Sequence, residues 1–109
     1  MKIDFKSMEE TVLPEFKGGK KNMFAKMHVD ALGKIMHGRL EPGASIGMHA
    51  HETNSEIIYI LNGKGRVLYD DTEEKLEAGD CHYCPKGHSH SLINDSGNDL
   101  IFFAVIPEQ

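Results

Sequence analysis

Apolar and polar residues alternate in short runs along this chain and almost nowhere recur at helical spacing. Runs of period two bounded by Gly, Pro, Asn and Asp are the mark of short strands joined by tight turns. The pattern predicts strands near Met23–His28, Lys34–Leu40, Met48–His51, Ile57–Leu61 and Gly65–Tyr69. It continues with Glu74–Leu76, Cys81–Cys84, His90–Ile93 and Leu100–Ile106. Glu41-Pro42-Gly43, Asn62-Gly63, Asp70-Asp71, Ala78-Gly79-Asp80, Pro85-Lys86-Gly87 and Asn94–Asn98 are the intervening turns. The one helical expectation is a short turn around Ser7–Val12, where Glu9 and Glu10 follow Ser7. Short strands at this spacing predict an all-β sandwich or barrel.

Two of the runs, Ile57–Leu61 and Leu100–Ile106, are apolar on both faces. Such strands are buried on both sides, within a double sheet or beneath a second subunit. A homodimer is therefore expected. At 109 residues, with no linker, repeat or low-complexity segment, the chain reads as one domain.

The net charge of -5 argues against a nucleic-acid partner, because phosphate affinity needs clustered Lys and Arg. The one basic cluster, Lys17-Gly18-Gly19-Lys20-Lys21, reads as a solvated loop. No run approaches the ~20 apolar residues that span a bilayer, so no membrane partner is expected. The first residues lack the apolar stretch of a signal peptide, and a cytoplasmic location is the default. Cys81 and Cys84 lie three apart on an expected strand, pointing to opposite faces. They read as small core-filling thiols in a reducing compartment.

Candidate chemistry concentrates in the histidines, of which there are seven. His49-Ala50-His51 places two imidazoles on one face of a strand. Glu56 opens the next apolar run and returns to the same site if residues 52–55 turn. His88-Ser89-His90 adds two more imidazoles after Pro85-Lys86-Gly87. Three imidazoles and a carboxylate suit a borderline divalent transition ion: Fe, Mn, Ni, Co, Zn or Cu.

The wider spacing is more specific. Gly43, five residues, His49-x-His51, four residues, Glu56, six residues and Gly63 form one motif. Gly79, five residues, Pro85-x-Gly87, two residues, His90, three residues and Asn94 form a second. Together they closely resemble the two motifs of the single-domain cupin family. The resemblance implies a double-stranded β-helix, a jelly-roll-like barrel with core near 34–107 and an N-terminal arm over about 1–22. It further implies one metal ion per chain held by His49, His51, Glu56 and His90. The glycines then sit at turns, Pro85 ends a strand, and Asn94 is a turn residue near the site rather than a ligand.

Four ligands on an ion that accepts five or six leave room for a small molecule. If the His90 face points inward, Leu92 lines the pocket, and by resemblance Phe102 and Ala104 do also. Met36 is a weaker candidate. His88, His82, Tyr83 and Tyr59 are candidate proton-transfer groups; His28 and His37 read as surface residues, and no residue is assigned as catalytic base. The expectation is a metal-dependent enzyme (oxygenase, isomerase or lyase) acting on a small oxygen-bearing molecule. The alternative is a non-catalytic ligand-binding or sensing module using the same pocket.

Overall fold

Ten strands build the computed structural model, which describes residues 1–109. The larger sheet runs in the order β1 (Thr11–Pro14), β2 (Asn22–Asp30), β3 (Gly33–Leu40), β10 (Leu100–Pro107), β5 (Glu56–Asn62) and β8 (Cys81–Cys84). The smaller is β4 (His49–Ala50), β9 (Ser89–Ile93), β6 (Lys64–Tyr69) and β7 (Thr72–Glu77). Every pairing is antiparallel. The two sheets close on one apolar interior, the all-β double-stranded β-helix that the motifs imply.

The interior follows from strand parity. Alternate residues of the larger sheet point in: Met23 and Ala25, Met36 and Leu40, Ile58 and Ile60, and Leu100, Phe102, Ala104 and Ile106. Val67, Leu76 and Leu92 meet them from the smaller sheet. Gly38 leaves the room that the Phe102 ring fills, since a Cβ there would collide with it. At the Asn62-Gly63 turn, Gly63 has φ of 87°, and a Cβ would sit 2.5 Å from the Asp99 carbonyl oxygen.

Three expectations are corrected. The segment Ser7–Val12 is not helical: a 3-10 turn covers Phe5–Ser7, and the chain then extends into β1, which pairs with β2. Ser7 Oγ donates to Asp4 Oδ2 at 2.8 Å, closing the preceding turn rather than capping a following helix. The runs apolar on both faces are not buried on both sides within the chain. On β5 the outward Ile57, Tyr59 and Leu61 are exposed, and so is Tyr83 beside them on β8. On β10 the outward residues are half-buried, partly because Phe5 lays its ring against Phe103 and His37. Finally, Cys84 fills the core but Cys81 is exposed, and both are free thiols.

Asn94 is a buried junction. Its Nδ2 donates to the carbonyls of Leu40 (2.9 Å), Glu41 (3.2 Å) and Asn98 (2.8 Å), and its Oδ1 accepts from the Ser96 amide and hydroxyl. The side chain thereby ties the end of β3 to the loop between β9 and β10.

Candidate metal centre

The four motif residues arrive from both sheets. His49 on β4 pairs with His90 on β9 in the smaller sheet, and Glu56 opens β5 in the larger. His51 lies just past β4, because that strand ends at Ala50, earlier than its sequence pattern suggests. One ligand atom from each residue falls within 4.8 Å of the others. Glu56 Oε1 lies 2.9 Å from His90 Nε2, 3.1 Å from His51 Nε2 and 3.9 Å from His49 Nε2. The spread is close to the roughly 4.2 Å that separates opposite donors on an ion with bonds near 2.1 Å. His51, Glu56 and His90 are buried and His49 is half-buried.

The outer nitrogens decide which way each imidazole faces. His49 Nδ1 donates to the Gly47 carbonyl at 2.7 Å. His51 Nδ1 meets Asn54 Oδ1 at 2.5 Å, and the Asn54 amide is oriented by donating to Glu108 at 3.3 Å. His90 Nδ1 lies 3.0 Å from His82 Nε2. With their Nδ1 atoms donating to carbonyl oxygens, His49 and His51 turn Nε2 lone pairs toward one Glu56 oxygen, and His90 turns its Nε2 to the same atom. The Nε2 atoms of His51 and His90 are only 2.9 Å apart. Lone pairs and a carboxylate converging this closely repel unless a cation lies among them. The donor chemistry therefore fits a borderline divalent ion.

The electrostatics of the metal-free chain describe the same cluster with protons rather than an ion among the donors. Burial pushes the Glu56 carboxyl up, but the three imidazoles together outweigh it and hold the group well below the carboxylate range. Glu56 in turn raises the pKa of His51, against the opposing effect of burial. His90 is lowered, chiefly by its own burial. Behind the site Cys84 pairs with Glu56 across β5 and β8, and burial first, then the charge of Glu56, pushes its thiol up to about 11. It is an inert neighbour.

A cavity of about 330 Å³ opens from the donors to the surface. Leu13, Phe16, Met23, Met27, Met36, Ile46 and Ile106 make its apolar wall. Lys17, Lys34, Glu52, Thr53 and Asn54 are its polar lining. Of the sequence-derived pocket candidates, Met36 lines this space. Leu92, Phe102 and Ala104 point inward but are spent on packing within the core. His88 is half-exposed outside the cavity, stacked on Tyr69 and 2.6 Å from Asp70 Oδ2. Tyr59 and Tyr83 face outward. His28 bonds Asp30, and His37 lies under Phe5.

Lys17 and Lys34 carry no motif, and sequence reasoning missed their place at the cavity. The loop at Lys17–Lys21 is docked, not free: Gly47 N donates to Phe16 O at 2.9 Å, and Ser45 N to Lys20 O at 2.9 Å. Its charge was visible in the sequence, but where it docks was not.

Comparison with known proteins bears on the fold and the family. A family model for the cupin domain (Cupin_2) matches residues 36–106. An oxalate-binding protein of Thermotoga maritima is 45% identical over 69 residues, which cover 62% of this chain and 56% of that protein. The matched region is thus just over half the length of this curated relative. A crystal structure from the same organism, described as a predicted oxalate decarboxylase, superposes with a TM-score of 0.94 at 29% identity over 100% of both chains. The polyketide cyclase RemF of Streptomyces resistomycificus shares the fold, with a TM-score of 0.81 at 20% identity over 98% of this chain and 78% of its own.

Proposed function

The chain belongs to the cupin family, and from that membership we propose that it binds a small dicarboxylate of the oxalate class on a divalent transition ion. The observation that carries this reading is the pairing of the four-donor cluster with Lys17 and Lys34 around one cavity. His49, His51, Glu56 and His90 would hold the ion, which when bound supplies Lewis acidity toward carboxylate oxygens. The chain's own residues do the rest. Lys17 and Lys34 draw an anion to a protein whose net charge is otherwise -5. Two lysines and a divalent ion against Glu52 and Glu56 leave the cavity net positive, which suits a dianion. Phe16, Met23, Met27 and Met36 exclude water from the polar contacts and so strengthen them. The names of the two Thermotoga relatives support the same ligand class.

A second reading, a metal-dependent lyase on the same anion, is favoured by Glu52. It is a carboxylate outside the donor set that lines the same cavity. Conversion of oxalate and one proton to formate and carbon dioxide is the balanced reaction it would serve.

The test is calorimetric titration of oxalate into metal-loaded protein, with formate assayed in the same samples. Saturable binding that disappears on metal removal and weakens in a Lys17→Ala, Lys34→Ala variant is expected. A metal-loaded protein that takes up no oxalate would overturn the ligand assignment, and formate release would move the lyase reading ahead. The exposed strip of Ile57, Tyr59, Leu61 and Tyr83 supports a second copy of the chain as protein partner.

A further inference from the structure

Neither motif includes His82 or Glu74, yet they stand behind the metal centre in line. His82 on β8 is buried at 2% exposure, with its ring stacked on that of His90 at 5.2 Å and 28°. Its Nε2 is 3.0 Å from His90 Nδ1, and its Nδ1 is 2.9 Å from Oε1 of Glu74 on β7. Glu74 is the outer end of this line, its side chain 44% exposed.

The direction of the two hydrogen bonds follows from their ends. A carboxylate only accepts, so His82 Nδ1 must carry the proton it donates to Glu74. A neutral His82 then has a lone pair on Nε2, and His90 must donate to it from Nδ1. That leaves the His90 Nε2 lone pair on the side of Glu56, whose Oε1 is 2.9 Å away, an arrangement that a cation between the two satisfies. The opposite wiring would set a His82 Nδ1 lone pair against the Glu74 carboxylate and turn an N–H of His90 toward the donor cluster, blocking a ligand position. The Tyr69 ring packs against His82 in a T-shaped contact, with ring centroids 5.5 Å apart.

We propose that Glu74 and His82 are positioning residues that fix His90 as its Nδ1–H tautomer and thereby present Nε2 as a metal ligand. The proposal rests on the metal-site reading above, and in the metal-free chain the Glu74–His82 pair acts against the Glu56 carboxylate, which draws the same proton to Nε2. Outer partners of this kind set ligand orientation and commonly govern 10–100-fold in metal affinity.

The experiment compares the parent with His82→Gln, His82→Leu and Glu74→Ala. Long-range ¹H–¹⁵N correlation spectra of the metal-free proteins read the His90 tautomer, and competition against a chelating dye reads Zn(II) affinity. Parent and His82→Gln are expected to show His90 protonated on Nδ1, since the Gln amide oxygen accepts from His90 while its NH₂ donates to Glu74. His82→Leu, which fills similar volume without an acceptor, should lose that tautomer and at least ~10-fold in Zn(II) affinity. Glu74→Ala alters a half-exposed side chain and should give a smaller loss in the same direction without unfolding. An unchanged His90 spectrum in both His82→Leu and Glu74→Ala would overturn the proposal, as would equal loss of Zn(II) affinity in the Gln and Leu variants. A parent that binds no Zn(II) but shows the Nδ1–H tautomer would instead overturn the metal reading while leaving the positioning pair intact.

Discussion

The backbones of Gly47 and Lys17 are in direct contact: a Cβ added at Gly47 would collide with the Lys17 carbonyl oxygen. Gly47 also accepts the hydrogen bond from His49 Nδ1. One glycine thus joins the N-terminal arm, which carries Lys17 to the cavity, to a residue of the donor cluster. Gly47→Ala is expected to displace the arm. Overpacking of this kind costs about 1–3 kcal/mol, so melting should fall by several degrees and oxalate binding to the metal-loaded protein should weaken. Gly97→Ala, where a Cβ meets nothing within 4 Å, is the control and should leave both unchanged.

Metal content of protein purified without a His-tag, measured by plasma mass spectrometry, should be near one ion per chain. A His49→Ala, His90→Ala variant should retain little. Because the ion displaces protons from imidazole nitrogens, affinity should fall as pH drops through the ordinary histidine range, about 6.5. Retention unchanged between about pH 8 and about pH 5 would count against a three-imidazole site.

Asn94→Ala strands the buried Leu40 carbonyl and removes the bonds to Glu41, Asn98 and Ser96 at once. A loss of about 3 kcal/mol is expected, seen as a drop in melting temperature of roughly 10–20 °C. Ser96→Ala, which leaves the Asn94 bonds to Leu40 and Asn98 in place, should cost far less.

Arg39 binds Glu10 through two nitrogens, at 2.9 and 3.1 Å, and reaches Asp99 at 3.3 Å. The hydrogen bonds from Arg39 hold the Glu10 carboxyl below its ordinary range, against a smaller opposing effect of burial. A carboxyl lowered in the folded state contributes fully above the unfolded value, about 4.3, and loses that contribution as pH falls through the lower folded value. Asp30, lowered by the Leu32 amide, and Asp70, lowered by His88, act in the same sense. Melting temperature should therefore decline below about pH 4.5, and Glu10→Gln should flatten that acid limb while lowering stability slightly at pH 7.

If two copies of the chain pair through the exposed strip on β5 and β8, sedimentation velocity of the parent will report a dimer. Tyr59→Lys with Leu61→Lys should shift it to monomer without loss of bound metal, since both side chains point away from the donors. A parent that sediments as a monomer at all concentrations would sink this pairing.

Much of the architecture was legible in the chain. Asn62-Gly63, Asp70-Asp71 and Pro85-Lys86-Gly87 bound their strands as their backbone preferences require. Leu92, turned inward by strand parity with His90, and Phe102 and Ala104, turned inward by the family resemblance, do lie in the interior. Parity, however, says only that a side chain points in. Whether it meets the cavity or another side chain depends on how far along the barrel axis it lies. That is why Met36 lines the pocket while Leu92, Phe102 and Ala104 pack the core.

By itself the sequence determined the all-β class, the turns and the four residues that the structure gathers into one cluster. Each of these is encoded locally, in residue type and in spacings of a few positions. Only the tertiary structure decided what surrounds the donors. Lys17 reaches the cavity because its loop docks on Ser45 and Gly47, and His82 reaches His90 across the interior from β8. Glu74 is brought in by β7, and Asn54 by the turn held to Glu108. These contacts join residues with no fixed spacing between them. Which of many possible partners a side chain meets is settled when the two sheets close and the chain's remaining polar groups find their complements.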